Sequence, residues 1–431
     1  MISTFLQKIW AYALMIVCQL SGHACAYGAV AIAPPTQLNI KLPAGFQINV
    51  FSQLGEVVGD ESPAQPRMMA FDSKGRLYVS LANSNSVAML PDANKDGVAE
   101  TPIIIASHLN APNSIAFIDD NTMLIANQDG VVTIHQENGQ WSAPTPFISH
   151  LPYGHHTFKT IKLGADNHLY INVGSSCNVC VEEDPLRATI LRYSLDGKPA
   201  GSLATLGRHA ANPIWASGLR NSQGFAWQPK TGAMFATNEG ADDRSNTKNG
   251  KVNDDIPPEH LNRIEPGKHY GWPYCWGDHF QDPNFVGADN FCKSMAAPAI
   301  TFTSHSTPIG ITFLDKTNFP AEYKNDAIVA LHGSWNRRNP SGYKLVRVKF
   351  NAEKPVEVLD FATGWLNIDN NGQSEAWGRP VDVINRRPNP VSQKDTRSPH
   401  THPCARADRE KSASLAKPHC PNARAQILRR G

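Results

Sequence analysis

The stretch Met69-Ala70-Phe71-Asp72-Ser73-Lys74-Gly75-Arg76-Leu77-Tyr78-Val79-Ser80 holds the unit from which most of the chain can be read. An apolar-x-apolar step meets a polar turn containing Gly75, and an alternating strand follows. A period of two on either side of such a turn predicts a β-hairpin. The unit returns at Ile115-Ala116-Phe117 with Met123-Leu124-Ile125-Ala126, and at Ile161-Lys162-Leu163 with Leu169-Tyr170-Ile171-Asn172-Val173. Further copies are Phe225-Ala226-Trp227 with Met234-Phe235-Ala236-Thr237, and Ile311-Thr312-Phe313 with Ala327-Ile328-Val329-Ala330. A sixth start stands at Val381-Asp382-Val383. The central residues are 70, 116, 162, 226, 312 and 382, at spacings of 46, 46, 64, 86 and 70. Hairpins recurring at such intervals, in a chain with almost no helical periodicity, predict an all-β fold: a six-bladed β-propeller with insertions. A β-sandwich built from the same strands has no reason to repeat one hairpin in this way. Phe46-Gln47-Ile48-Asn49-Val50-Phe51 alternates as a closing strand should, so the N-terminal strand is expected to complete the last blade.

That last blade is incomplete in sequence. After Val383 no turn and outer strands follow; residues 384–431 hold six prolines and no Phe, Trp or Tyr, and their eight arginines and three lysines face only three acidic residues. Such a segment cannot bury enough apolar surface to fold, so a disordered basic tail is expected. Its change of composition in mid-motif resembles translation in a shifted reading frame; a natural basic tail is the alternative. The whole chain of 431 residues carries 40 Lys+Arg against 38 Asp+Glu. With the tail at +8 and Lys8 set aside, residues 27–383 carry −7. An acidic body argues against a nucleic-acid partner.

Lys8, the apolar run Ile9 to Leu20 and the Ala24-Cys25-Ala26 step form the pattern of a cleaved secretory signal over residues 1–26, and 27–41 read as a linker. The run is too short for a stable membrane span, so a periplasmic or secreted protein is expected; a retained N-terminal anchor is the alternative. An oxidising compartment makes disulfides the first expectation for the four body cysteines Cys177, Cys180, Cys275 and Cys292. Three connectivities are open. Pairing Cys177 with Cys180 and Cys275 with Cys292 closes two local loops, and a four-thiolate zinc site is the competing arrangement. Covalent haem is excluded, because Val181 follows Cys180.

Polar residues just before or after each repeat would cluster at one mouth of a propeller's channel. They are His155-His156, Gly218-Leu219-Arg220-Asn221, Asn238-Glu239-Gly240-Ala241-Asp242-Asp243, His305, His332-Gly333-Ser334-Trp335-Asn336-Arg337 and Gly378-Arg379-Pro380. Histidine, arginine and carboxylates at one opening suit an anionic ligand with an associated metal. Asp92-x-Asn94-x-Asp96-Gly97 resembles the first half of a calcium loop, but Ile103 stands where its bidentate Glu should be. A small second Ca²⁺ loop and a polar hairpin turn are both open.

Gly154-His155-His156-Thr157, Gly174-Ser175-Ser176-Cys177-Asn178-Val179-Cys180, Gly218-Leu219-Arg220-Asn221, Tyr270-Gly271-Trp272-Pro273 and His332-Gly333-Ser334-Trp335-Asn336-Arg337 together resemble the sorbosone dehydrogenase branch of the soluble quinoprotein glucose/sorbosone dehydrogenases. The resemblance runs from about Leu42 to Val383. It implies a six-bladed propeller that holds pyrroloquinoline quinone (PQQ) over the channel mouth, with Ca²⁺ at the quinone edge. It places His156 on the catalytic base that takes the sugar hydroxyl proton while hydride moves to the quinone, and Arg220 and Asn221 on the quinone oxygens. His305, His332 and Arg379 fall on cofactor contacts, and the backbone carbonyls of Gly240 and Ala241 on Ca²⁺ ligands. His332 stands where the glucose branch has a lysine, and His155 where that branch has an acidic residue.

The resemblance implies a PQQ- and Ca²⁺-dependent dehydrogenase of an aldose or sugar aldehyde that passes electrons to an external acceptor, a quinone or a cytochrome. A metal-dependent lactonase propeller and a non-catalytic binding propeller are the alternatives. A lactonase would need no quinone, and a binding module would turn over nothing.

Overall fold

The computed structural model describes residues 40–54, 64–203, 208–315, 317–369, 371–372, 374–386 and the strand Ala423–Arg429. The expected signal, most of the linker and residues 387–422 of the tail lie outside the described residues. Among those described, five antiparallel sheets are arranged as propeller blades, four of them four-stranded and the second carrying a short fifth strand, Gln140–Trp141. Blade 1 is Pro66–Phe71, Leu77–Leu81, Ser86–Leu90 and Ile103–Ala106. Blade 2 is Ser114–Asp119, Thr122–Asn127, Gly130–Glu137 and Thr145–Ile148, and blade 3 is Ile161–Leu163, His168–Val173, Thr189–Ser194 and Ile214–Ser217. Blade 4 is Phe225–Trp227, Met234–Asn238, Glu259–Ile264 and Ile300–Phe302. Blade 5 is Pro308–Phe313, Ala327–Leu331, Lys344–Asn351 and Lys354–Ala362.

Each of the first five repeats found in the sequence is the first hairpin of a blade, as in the pairing of Ala70 with Tyr78 and of Ala226 with Phe235. Alternation in the second strand serves two interfaces. Leu77, Val79 and Leu81 pack on one face of blade 1 with Phe51 and Leu54, while Tyr78 points the other way and packs against blade 2 through Ile115 and Met123. Both faces of that strand are therefore buried, which is why it reads as almost continuously apolar. The same division builds apolar layers between blades 2 and 3, 3 and 4, and 4 and 5.

The expected sixth blade is absent from the described residues. Val381-Asp382-Val383 begins like a repeat, but among the described residues no hairpin follows it, because the sequence beyond it supplies neither a turn nor an alternating partner. The segment 381–384 bridges blades 5 and 1 across the sector between them. Val381 O accepts from Gly310 N at 2.9 Å, Asp382 Oδ2 accepts from Met69 N at 2.9 Å, and Val383 and Ile384 enter the apolar clusters on either side. The strand Phe46–Gln53 lies in the same sector, with Phe46 among Phe319, Tyr323 and Phe361 of the blade 5 side and Phe51 on blade 1. It pairs in parallel with Ala423–Arg429, so that part of the tail forms a strand where an unfolded segment was expected. An unpaired strand edge offers a row of backbone donors and acceptors to any extended segment that reaches it.

Both expected disulfides are present, Cys177–Cys180 and Cys275–Cys292, and they leave none of the four thiols for zinc. The second ties the Cys275–Trp276 strand to the short helix Asp289–Ser294. Among the described residues no helix is long and apolar enough to cross a membrane.

Candidate active site

In each blade the residues before the innermost strand and after the second strand lie at the same end of the hairpin. At that end a cavity of about 330 Å³ opens, within the size range of small-molecule sites. His155, His156, Arg220, Asn221, Gly240, His305, His332 and Arg379 all line it. Residues 155 and 379 are far apart in sequence, and the propeller brings them to one opening.

His156 sits before blade 3 with its Nδ1 2.8 Å from Ser175 Oγ and 3.1 Å from Ser175 O. Burial, the cation of Arg220 and neighbouring His155 push its pKa down to about 3, so the ring is neutral at ordinary pH. Gly174 makes this approach feasible: a β-carbon there would lie 2.3 Å from His156 Cβ and 3.0 Å from Asn221 Oδ1. The glycine is needed for space.

Arg220 is buried before blade 4 and every edge of its guanidinium is used. Nε donates to Asn178 O (3.1 Å), NH1 to Gly240 O (2.7 Å), and NH2 to Asn178 Oδ1 (2.9 Å) and Asp242 Oδ2 (3.0 Å). Next to it, Asn221 Nδ2 donates to Glu239 Oε2 at 2.9 Å, while Asn221 Oδ1 is buried with no hydrogen-bond partner. An unpartnered buried oxygen at a cavity wall is costly unless a ligand or cation meets it.

On the far side, His305 lies 3.6 Å from Asp242. Burial disfavours its charged form, but Asp242 and Glu259 outweigh that and raise its pKa. His332 Nδ1 lies 3.0 Å from Pro380 O, and Arg379 donates to His332 O at 3.3 Å and to Gly333 O. Cations and polar donors thus face the cavity from three directions.

Several lining residues had no assigned role in the sequence. Glu239 and Asp242 fell inside a quoted stretch, but Glu259 enters from Pro257-Pro258-Glu259, which carries no motif. Its carboxylate accepts from Gly240 N at 2.5 Å and Thr307 N at 3.3 Å, and burial pushes its pKa up to about 7. Burial also raises Glu239, which accepts from Gln223 Nε2 at 2.9 Å. Below them the buried Arg67 of blade 1 donates to Asn113 Oδ1 and Gln223 Oε1, at 2.8 and 2.7 Å. A buried charge inside an alternating strand, as at Arg67, was the available signal.

The two metal proposals fare differently. Ala241 is buried behind the wall, in a small cleft beside Trp272 and Trp276, and Gly240 O is engaged by Arg220. Two buried carboxylates, Glu239 and Glu259, nevertheless line the main cavity, and a hard cation would relieve the cost of ionising them. At the other location, Asp92 pairs with Arg386 at 3.2 Å and Gly97 N, Asn94 Nδ2 donates to Asp96 Oδ2 at 3.0 Å, and Glu100 accepts from Ala93 N and Asn94 N. A polar turn accounts for each of these contacts.

The donor set of the main cavity fits PQQ, a flat tricarboxylate with quinone oxygens. Arg220 and Arg379 supply cations, Asn221 an amide, and His305 a ring whose charged form Asp242 and Glu259 favour.

Comparison with known proteins follows this geometry. The curated PQQ-dependent pyranose dehydrogenase of Coprinopsis cinerea is 23% identical over 399 residues, covering 82% of this chain and 52% of that protein. The chain therefore spans about half the length of that relative. The holo form of the PQQ domain of the Coprinopsis cinerea pyranose dehydrogenase shares the fold, with a TM-score of 0.66 and 19% identity over 83% of this chain and 94% of that one. The calcium structure of a Trichoderma reesei carbohydrate-active enzyme of family AA12 gives 0.64 and 20%, over 80% and 96%. The family model described as TrAA12-like matches residues 57–381, from before the first repeat to the start of the sixth. That span takes in all five blades and every cavity residue named above, and the chain belongs to the TrAA12-like family.

Proposed function

We propose that this protein is an exported, PQQ- and Ca²⁺-dependent dehydrogenase that oxidises an aldose to its lactone, or a sugar aldehyde to its acid. The observation that carries the proposal is the convergence of His156, Arg220, Asn221, His305, His332 and Arg379 on one cavity. Bound PQQ would supply the two-electron acceptor, with Ca²⁺ at its edge. The acceptor that takes the electrons onward is a small quinone or a cytochrome outside this chain.

The chain's own residues bind, orient and move one proton. Arg379 and His305 would hold carboxylates of the cofactor, and Arg220 with Asn221 would supply fixed donors for the negative charge that develops on it. Glu239 and Glu259 would give the cation its oxygen surroundings, while the carbonyl of Gly240 is taken by Arg220 and Ala241 lies behind the wall. Neutral His156 accepts the proton of the sugar hydroxyl at the ring nitrogen turned away from Ser175. Its low pKa keeps that nitrogen available across the whole range in which the protein would work.

Reconstituting the purified protein with PQQ and Ca²⁺ and following dye reduction over a panel of aldoses and sugar aldehydes tests this. Turnover that needs both additions is the expected result. Lactone hydrolysis without PQQ would favour a lactonase instead, and the absence of both reactions a binding module.

A further inference from the structure

We infer that the four-residue ring closed by Cys177–Cys180 positions both His156 and Arg220 for the reaction, with Asn178 as a positioning residue. The inference rests on the functional reading above.

On the first side, Ser175 Oγ donates its single hydrogen to Cys177 O at 2.7 Å. Toward His156 that oxygen can then only accept, and the backbone oxygen of Ser175 is an acceptor in any case. His156 Nδ1, bonded to both, must carry the ring hydrogen. The lone pair is left on Nε2, as a base requires. The tautomer of the ring is thus set by Ser175, and a carbonyl of the disulfide loop keeps the Ser175 hydroxyl from donating to the same nitrogen in competition.

On the second side lies Asn178, inside the ring. Its carbonyl accepts from Arg220 Nε and from Trp272 Nε1, both at 3.1 Å. Its Oδ1 accepts from Arg220 NH2 at 2.9 Å and Asp242 N at 2.8 Å, and its Nδ2 donates to Asp242 O at 2.9 Å. One residue orients the guanidinium, an indole and the loop that carries Asp242. Yet residues 174–188 contain no helix or strand. Without the cross-link this stretch would place Cys177 O and Asn178 over a range of positions, and misplacement on the ångström scale is expensive in rate. Cys275–Cys292 is an internal control, since none of the bonds just described passes through it.

Four proteins decide the matter: wild type, C177S/C180S, N178A and the control C275S/C292S. In cofactor-free protein, side-chain ¹⁵N shifts of His156 report which ring nitrogen is protonated. Wild type should show one tautomer with the hydrogen on Nδ1, and C177S/C180S a mixture. After loading with PQQ and Ca²⁺, both variants should lose about tenfold in kcat while KM for the sugar changes less than about threefold. C275S/C292S should keep the wild-type tautomer and kcat. A folded C177S/C180S protein with a single Nδ1-protonated tautomer and wild-type kcat would overturn the inference. Should that double variant fail to fold, wild-type kcat in N178A overturns it equally. The NMR comparison needs no cofactor, so failure of wild type to take up PQQ would be recognised separately as failure of the functional proposal.

Discussion

Arg220 and Arg379 reach the same cavity from two differently built regions. Arg220 stands between complete blades and is held by the disulfide loop, Gly240 and Asp242. Arg379 comes from the segment that leads into the sixth sector, where the segment 381–384 and the strand Phe46–Gln53 stand in for a blade, and its hydrogen bonds go to the loop after blade 5. A guanidinium fixed on all edges suits stabilisation of charge that appears only during reaction, because no reorganisation is needed then. One presented by a thinner scaffold suits holding a carboxylate already charged. On the proposed function, the difference would give the site a catalytic wall on the Arg220 side and a cofactor-binding wall on the Arg379 side.

The sharpest way to break that comparison is to truncate both arginines. Arg220→Ala should lower kcat by about 10²- to 10³-fold, and should also cost about 3 kcal/mol of stability by leaving Asp242 without its buried partner. Arg379→Ala should weaken PQQ about tenfold, read by titration of the quinone absorbance, and change kcat little. Equal losses of kcat in the two variants would erase the distinction.

A second test concerns the sixth sector alone. Asp382 is buried there and accepts from Met69 N of blade 1, while its neighbour Val381 binds Gly310 of blade 5. Asp382→Ala should destabilise the protein by about 1–3 kcal/mol in urea unfolding, since a buried N–H loses its acceptor. Unchanged stability would mean that the segment does not tie blade 5 to blade 1.

The complete-blade side also carries a pH signature. His260 is buried and His269 half-buried; they accept backbone hydrogen bonds from Gly277 N and Gly271 N at 3.0 Å and have pKa values pushed down to about 4 by desolvation. Their folded values lie below the unfolded value near 6.5, so the stability of the neutral rings is present above pH 6.5 and is lost as pH falls through 4. The melting temperature should therefore decline through that window. His260→Gln should flatten part of the decline, and an unaltered slope would show that the ring is not held neutral.

How much of this was legible in sequence depends on whether the signal was local. A hairpin such as Met69 to Ser80 announces itself within a dozen residues, so five blades could be counted. Val381-Asp382-Val383 carries the same opening, but a blade needs the strands that follow, and counting starts overestimated the blades by one. His156, Arg220, Asn221 and Arg379 were located through their positions beside repeats and through motif resemblance. Glu259 and Gln223 were not, because their roles come from neighbours that only the closed propeller supplies. Asn178 lay in plain view between two cysteines, yet its part in orienting Arg220 becomes visible only when the distance is measured.

The central claim is that His156 is the base beside a PQQ held in this cavity. Stopped-flow mixing of the PQQ- and Ca²⁺-loaded protein with an aldose, in wild type and His156→Ala side by side, tests it most directly. The account predicts equal quinone uptake by both proteins and a loss of the quinone band slowed by about 10²- to 10⁴-fold in the variant. Equal rates of quinone reduction in the two proteins would contradict it.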